Sequence, residues 1–563
     1  MRKILIICTI IFLSFQIAFT QDKLNNVLSE ELNRNMTELK KHENAPYFIS
    51  YRVKDVYKAN ITAEFGAISK KEENNTRYLT IDVRVGDYKL DNTHEIRGDY
   101  GEYFSSSSKI KIPYEFEKDA IQQALWRETD NAYKNAMDKY NKVKANIAVK
   151  VDKEDQSDDF SKEKPEKYFE KEFTEEQLNF DFKTWQERLK KFSAPFLDEP
   201  AIISCSASMT YKAERKYFVS TEGAEIAQNM TFTRIYVNGR VKADDGMIMP
   251  LGKSYFAYDP KDLPSEEQII KDIKKLVKKL TMLKDAPVVE PYQGPAILSA
   301  EASGVFFHEI FGHRVEGQRL KKESDGQTFK KKVGKLVLPE EFNVYFDPTI
   351  REYEKQNLNG SYIFDDQGVR GKKVEIVNNG ILKGFLMSRS PIENFYNSNG
   401  HGRAEEGKQI VTRQSNLIVE TKKPYTEDEL RKMLIEELKT QGLKYGYLFT
   451  EVTGGFTMTG RFIPNSFNVT PTEVYKIYTD GSPDELVRGV DLVGTPLAMF
   501  SEIAAAGNKS KIFTGTCGAE SGRVPVTGVS PSLFVKKIEM QKKSKSQDKP
   551  AILTRPDKNN KNL

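Results

Sequence analysis

The residues best suited to metal chemistry lie in one short apolar stretch, residues 304–313, which contains two of the five histidines of the chain. His308 and His313 lie in this stretch, and Glu309 directly follows the first of them. Imidazole nitrogens are common zinc ligands, and a carboxylate beside such an ion can take the proton of an activated water. We therefore expect His308 and His313 to bind a metal ion, with Glu309 as general base.

The spacing of the two histidines is unusual for a helical metal site. They are five positions apart, one more than in the common H-E-x-x-H pattern. At 3.6 residues per turn, five steps rotate the second side chain roughly 140° away from the first. Gly312 precedes His313, and a glycine permits a wide turn, a π-bulge or an early helix end. The sequence therefore predicts a helix that is distorted or ends at Gly312.

The stretch 308–313 reads H-E-I-F-G-H, and several segments on both sides of it complete a longer pattern. This pattern resembles the TldD/PmbA metallopeptidases, whose motif is H-E-x-x-G-H. The resemblance covers nearly all of the region 285–538. It implies a peptidase for small or unfolded peptides that acts as a homodimer or as a heterodimer with a related, metal-free subunit. The other matching segments are 286–287, 292–295, 364–369, 380–386, 400–403, 454–455, 494–496, 515–518 and 524–526.

The resemblance also implies a third metal ligand. Active members of the family use a cysteine of the last glycine-rich motif, and the matching residue here is Cys517. Independently of the family, a thiolate is a strong zinc ligand, and two histidines with one cysteine leave one position open, as catalytic zinc sites require. The alternative is that Cys517 is a small buried core residue and that the histidines are core or cap residues.

These residues favour a zinc-dependent peptidase in which a zinc-activated water attacks the peptide bond and Glu309 passes the proton to the leaving amine. Two other functions remain open. One is an exported binding or scaffolding protein with a structural zinc. The other is a zinc amidohydrolase that acts on cell-wall peptides.

Two further groups of polar residues are candidates for the same site. His401 and Arg403 lie between glycines and could reach a cleft, where Arg403 would bind the peptide and His401 an oxyanion; a polar loop tip is the alternative. Asp365 and Asp366 could orient the ligand imidazoles, or could be turn residues.

The start of the chain and its composition indicate where the protein is located and which partners it has. Residues 1–20 have the plan of a secretory signal peptide, with basic residues before an apolar run at 4–19. We expect cleavage of this segment, export to the periplasm or the medium, and no stable membrane anchor afterwards. The net charge of +5 is small for 563 residues and gives no strong reason to expect nucleic acid as a partner.

A chain of this length needs more than one core, and its patterns predict the α+β class. We expect an N-terminal domain, 21–285, with antiparallel strands and flanking helices. A β-rich C-terminal domain that carries the metal helix follows at 286–538, and a basic, disordered tail at 539–563.

Several local patterns make further predictions. Apolar spacing predicts a helix over 115–142 with Trp126 on its core side, and a helix over 425–441 capped by Thr426. Asn-Gly pairs predict hairpin turns at 238–239 and 379–380. Charged residues predict a solvated excursion at 151–176 and a mobile surface loop at 319–335.

Overall fold

The computed structural model describes residues 22–96, 109–147, 155–322, 325–460 and 466–543. The predicted signal segment 1–20 and residues 544–563 of the predicted tail lie outside the described residues. The last strand runs to Lys542, so the start of the predicted tail at residue 539 is wrong.

The first half of the chain forms a seven-stranded sheet with helices on one face. The order along the sheet is β3-β2-β1-β5-β6-β4, and β7 also pairs with β6. The strands are β1 (Pro46–Glu64), β2 (Ala67–Val85), β3 (Ile110–Ile112), β4 (Lys167–Phe169), β5 (Ile202–Ser220), β6 (Glu225–Lys242) and β7 (Ile248–Ala257), and the helices are α1 (Lys23–Leu39), α2 (Lys118–Ile147), α3 (Phe182–Ser193) and α4 (Glu266–Asp285).

Alternation along the long strands gives this sheet one apolar and one polar face. On β1, Tyr51 and Val53 are buried in the core that includes residues of α1 and α2, while Ala59 and Ile61 lie in the core that includes residues of α3 and α4. The opposite face carries polar residues, among them Arg52, that contact the second half of the chain. The polar face of the first sheet thus packs against the second half of the chain.

The second half forms a twelve-stranded sheet around one central helix. The remaining elements are β8 (Tyr292–Leu298), α5 (Ala300–Ile310), α6 (Gln318–Lys321), β9 (Phe342–Phe346), β10 (Glu352–Tyr353), β11 (Gln356–Asn357), β12 (Val374–Asn378), β13 (Ile381–Leu382), β14 (Gly402–Arg403), β15 (Val411–Thr412), β16 (Asn416–Thr421), β17 (Pro424–Tyr425), α7 (Glu427–Thr440), β18 (Tyr445–Thr457), β19 (Phe467–Tyr478), β20 (Glu485–Val487), β21 (Val490–Gly494), α8 (Pro496–Phe500), β22 (Ile503–Ala519) and β23 (Gly522–Lys542).

The arrangement of this sheet encloses α5. Strand β23 pairs with β21 and also with β8, so the path β23-β21-β19-β18-β8 closes on itself. Helix α5 packs against β18, β22 and β23, and all its residues from Ala302 to Ile310 are buried. The molecule as a whole is of the α+β class, as predicted.

The two Asn-Gly pairs predicted to form turns differ in conformation. Asn379-Gly380 forms the predicted hairpin turn between β12 and β13, and both residues have positive φ. The prediction for Asn238-Gly239 is wrong because this pair lies inside β6, where Gly239 pairs with Cys205 and Leu251. A Cβ at Gly239 would lie 2.6 Å from Phe196, so this glycine permits close packing rather than a turn.

Of the other local predictions, some are confirmed and others are wrong. Helix α7 begins after Thr426, whose side chain forms a capping box with Glu429, as predicted. Trp126 was expected in the core but is 50% exposed. The solvated excursion predicted for 151–176 is wrong in part, because Phe160 is buried and the Ser161 carbonyl accepts hydrogen bonds from Arg389.

None of the described helices is both long enough and apolar enough to span a bilayer.

Candidate metal centre

Helix α5 ends where the sequence predicts. It stops at Ile310, and a 3₁₀ turn, Gly312–Arg314, follows. This break lets the two imidazoles meet, with the ring centroids of His308 and His313 4.9 Å apart. A Cβ at Gly312 would lie 2.0 Å from the Gln414 side chain, which donates a hydrogen bond to the His308 carbonyl. Glycine therefore permits both the break and the close approach of Gln414.

Strand β22 brings Cys517 to the two histidines. The Cys517 Sγ lies 3.2 Å from His313 Nε2, and one ligand atom from each of His308, His313 and Cys517 lies within 4.8 Å of the others. All three residues are buried. The structure thus brings together the three residues predicted as metal ligands.

The charges of this cluster favour a thiolate. Burial raises the pKa of the Cys517 thiol, but His313 and His308 outweigh this effect and hold the pKa well below its ordinary value. Burial lowers the pKa of His313, whereas Cys517 and Glu316 raise it, to about 10. The thiolate is the form of cysteine that binds metals.

The donor set fits a zinc ion. Imidazoles and thiolates both occur as ligands of catalytic zinc, which has three protein ligands and bonds of about 2.0–2.3 Å. The three donor atoms lie within 4.8 Å of one another, so small side-chain shifts would bring all three to bonding distance from one ion. Three protein ligands would leave a position for water or substrate.

Glu316 orients one of these imidazoles. Its Oε2 lies 3.1 Å from His313 Nδ1, which leaves Nε2 facing Cys517. The residue is fully buried, and its Oε2 also accepts a hydrogen bond from Arg319. We did not predict this role from the sequence, although Glu316 follows His313 by three residues, which is a spacing that a helical turn brings together.

Two arginines connect Glu316 to the strand that carries Cys517. Arg319 pairs with Glu316 at 2.8 Å and with Glu520 at 2.9 Å. Arg413 Nη2 donates to the Cys517 carbonyl, and its Nε lies 3.7 Å from Glu316. The prediction of a mobile surface loop from residue 319 is therefore wrong at its start, because Arg319 is buried beside the metal centre.

Glu309 follows His308 on α5 and is buried. A Cβ at Gly455 would lie 2.8 Å from the Glu309 side chain, so strand β18 passes close to this carboxylate only because residue 455 is glycine. Burial lowers the pKa of Arg314 to about 9, and the charge of Glu309 opposes this shift. The Glu309 side chain therefore lies against β18 at Gly455, and its charge acts on the Arg314 guanidinium.

The predicted orienting role of Asp365 and Asp366 is wrong. Asp365 accepts hydrogen bonds from the backbone N–H groups of Gln367, Val369 and Gly402, and burial raises its pKa to about 7. Asp366 pairs with Arg52 and Lys216 of the first sheet. The turn alternative applies to Asp365, and Asp366 joins the two halves of the molecule.

The residues around His401 are buried rather than open to a cleft or at a loop tip. Both ring nitrogens of His401 have partners, Asn399 on one side and Ser415 on the other, and burial lowers its pKa to about 3. The predicted contact of His401 with an oxyanion is therefore wrong. The guanidinium of Arg403 donates to the Gln414 carbonyl and lies over the ring of Tyr362. Its binding of substrate stays a prediction.

The chain is similar to known metalloproteases. Residues 291–542 match the family model of the PmbA/TldA metallopeptidase C-terminal domain. A metalloprotease of Methanocaldococcus jannaschii is 28% identical over 331 residues, which is 59% of this chain and 68% of the relative. A zinc metalloprotease TldD homolog of Saccharolobus solfataricus is 24% identical over 350 residues, 61% of this chain and 72% of the relative.

The fold also has a solved counterpart. The crystal structure of TldE from Thermococcus kodakarensis superposes with a TM-score of 0.60 at 14% identity, over 92% of this chain and 100% of that one. At this identity the likeness shows the fold alone. Together, the domain match and the relatives identify residues 291–542 as a member of the PmbA/TldA metallopeptidase family, and the fold of the chain is that of TldE.

Proposed function

We propose that this protein is a zinc-dependent peptidase that hydrolyses small or unfolded peptides. The observation that carries the proposal is the convergence of His308, His313 and Cys517, with Glu309 next to His308 on the same helix. Relatives of the chain are named metalloproteases, and one is named a zinc metalloprotease, which supports the same activity.

The residues of the chain have distinct parts in this reaction. His308, His313 and Cys517 would hold the ion, which when bound supplies a Lewis acid that polarises the peptide carbonyl and lowers the pKa of a water molecule. Glu309 takes the proton of the attacking water and delivers it to the leaving amine. Glu316 keeps the Nε2 atom of His313 directed toward the ion.

The burial of the site favours small or unfolded substrates. His308, Glu309, His313 and Cys517 are each at most 7% exposed. A folded protein cannot bring a peptide bond to such a position, whereas a single extended chain occupies little space.

We further propose that the protein is exported and works as a dimer, with itself or with a related subunit. Export rests on the pattern of residues 1–20 and the dimer on the family resemblance. N-terminal sequencing of the protein from the periplasm or the medium, and its mass in solution, test these two proposals.

The activity is tested by replacing Glu309 while leaving the ligands in place. We expect Glu309→Gln to retain about one zinc per chain and to lose about 10²–10⁴-fold in peptide hydrolysis, the range for a general acid–base residue. Metal content and cleavage of a mixed peptide library are measured side by side. Glu301→Gln, on the first turn of the same helix, is the matched control and should keep both properties.

Two results would contradict parts of this proposal. Equal cleavage by the wild type and Glu309→Gln would contradict the role of Glu309 as the base. Zinc in both proteins without cleavage of any peptide by either would favour a structural metal in a binding or scaffolding protein.

A further inference from the structure

Arg234 lies on the polar face of the first sheet and reaches across to the second. Its Nη1 donates hydrogen bonds to Ser254 Oγ at 2.7 Å and to the Thr514 carbonyl at 3.1 Å. Its Nη2 is buried and has no hydrogen-bond partner among the described residues. A buried donor without a partner costs free energy, so Nη2 could gain a hydrogen bond from an acceptor outside the described residues.

Among the described residues, no carboxylate forms an ion pair with Arg234, in contrast to two buried arginines. Arg319 pairs with Glu316, and Arg389 pairs with Glu222. For Arg234, burial alone lowers the pKa to about 10, and no charge of the described residues opposes it appreciably. A partly buried cation without a counter-ion is the reverse of the usual arrangement and favours an anion from outside the chain.

Two aromatic rings fix the position of this guanidinium. Its central carbon lies 5.3 Å from the ring centroid of Phe232 and 5.5 Å from that of Phe256. Such contacts hold a guanidinium in place without using its N–H groups. Ser254 beside it is exposed and Arg234 itself is partly exposed, so a solute can approach from this edge.

Arg234 contacts the strand that carries Cys517 of the metal centre. Its partner Thr514 precedes Cys517 by three residues on β22. At about 3.3 Å per residue, the two points are roughly 10 Å apart along the strand. An extended peptide that runs along β22 would advance by the same amount per residue, so a group bound at Arg234 would lie about three residues from a bond held at the metal centre.

We propose that Arg234 binds a carboxylate of the peptide substrate, either its C-terminus or an acidic side chain about three residues from the cleaved bond. This proposal rests on the proposed peptidase function. A guanidinium presents parallel N–H donors that match the two oxygens of a carboxylate. Arg234 would thereby select peptides by the distance between the cleaved bond and a negative charge.

Equilibrium binding of labelled peptides tests this proposal without requiring hydrolysis. The protein is the full mature chain with Glu309→Gln, so that no peptide is consumed, and it is compared with the same chain carrying Arg234→Gln in addition. One uncharged sequence is prepared as free acid and as C-terminal amide, and a third peptide is an amide with one internal glutamate. Arg240→Gln, an exposed position on the same face of β6, is the matched control.

We expect the free acid or the glutamate peptide to bind about tenfold more tightly than the uncharged amide, as one charge-assisted contact provides. Arg234→Gln should abolish this preference and leave the amide unchanged, while Arg240→Gln should preserve it. Whichever charged peptide shows the preference identifies the source of the carboxylate.

Three results would overturn the proposal. One is equal binding of all three peptides by the parent protein, and another is the absence of binding by any of them. The third is an equal loss for every peptide in Arg234→Gln, which would mean that Arg234 only ties β6 to Thr514. Charge-selective binding combined with no hydrolysis by the wild type would leave the Arg234 site in place and contradict the peptidase instead.

Discussion

At the scale of single residues, the metal centre depends on groups that hold its ligands as much as on the ligands themselves. Glu316 fixes the ring of His313, and Arg413 holds the carbonyl of Cys517. Such partners commonly change metal affinity by about 10–100-fold when removed, because a misaligned ligand must be reoriented on binding.

We therefore predict that Glu316→Gln lowers zinc affinity by about 10–100-fold. The neutral amide of glutamine would bind His313 Nδ1 more weakly than the carboxylate does, so the imidazole would be less well oriented. Competition with a chelator measures the affinity. Glu520→Gln is the matched control, because Glu520 pairs with the same Arg319 but has no recorded contact with His313. Equal losses in both variants would mean that the buried charge network acts as a whole and that Glu316 has no specific orienting role.

Residues with rare chemistry, such as metal ligands, can be recognised in the sequence. Ion pairs between residues far apart in the chain cannot be recognised in this way. His308, Glu309 and His313 could be singled out because few residue types bind zinc and their motif is compact, whereas Cys517 is identified through the resemblance to the TldD/PmbA motif. Asp366 could not be placed, because its partners Arg52 and Lys216 are more than a hundred positions away in the chain.

At the scale of elements, the site requires a helix and a strand to approach closely. The end of α5 at Ile310 turns His313 back toward His308, and β18 passes beside Glu309 at Gly455. Both features depend on glycine, whose lack of a side chain permits the contact.

We predict that Gly455→Ala abolishes most peptide hydrolysis and leaves zinc bound. The new Cβ would lie 2.7 Å from the Asn468 carbonyl and 2.8 Å from Glu309 Cγ, so the strand or the carboxylate must move. Hydrolysis and metal content are measured together. Gly518→Ala is the control, because a Cβ there meets nothing within 4 Å; normal activity in Gly455→Ala would show that Glu309 tolerates displacement.

Local patterns fixed the type of most elements but not every boundary between them. Thr426 begins α7 because its cap is satisfied by neighbouring residues, and Asn379-Gly380 turns because both residues adopt positive φ. Asn238-Gly239 carries the same turn signal, yet Gly239 is required for packing against Phe196. Tertiary contacts of this kind cannot be read from a local pattern.

At the scale of the whole molecule, buried charges join the two sheets. Asp366 lies 3.5 Å from Arg52 and 3.3 Å from Lys216, both on the first sheet, and its backbone belongs to the second half of the chain. Burial raises the pKa of Asp366, but Lys216 and Arg52 outweigh this effect and hold it below its ordinary value.

We predict that Asp366→Asn lowers the free energy of unfolding at pH 7 by about 3 kcal/mol, because the buried Arg52 and the partly buried Lys216 lose their charged partner. The folded-state pKa is depressed, so this stabilisation is fully present above about pH 4, the ordinary value of aspartate, and is lost as the pH falls below it. The difference between wild type and variant, from urea unfolding at several pH values, should shrink in that acidic range.

The control for this prediction is a surface ion pair. Asp484→Asn breaks a contact with Arg431 in which both side chains are more than 30% exposed, and such pairs contribute little to stability. A loss in Asp366→Asn no larger than that of Asp484→Asn would contradict the inferred role of Asp366 in joining the sheets.

X-ray absorption at the zinc edge tests most directly whether two imidazoles and one thiolate of this protein hold a zinc ion. We predict one sulfur at about 2.3 Å and two imidazole nitrogens at about 2.0–2.1 Å, with loss of the sulfur contribution in Cys517→Ser and its retention in Cys205→Ala. A zinc environment without sulfur, with several sulfurs, or unchanged in Cys517→Ser would contradict the account.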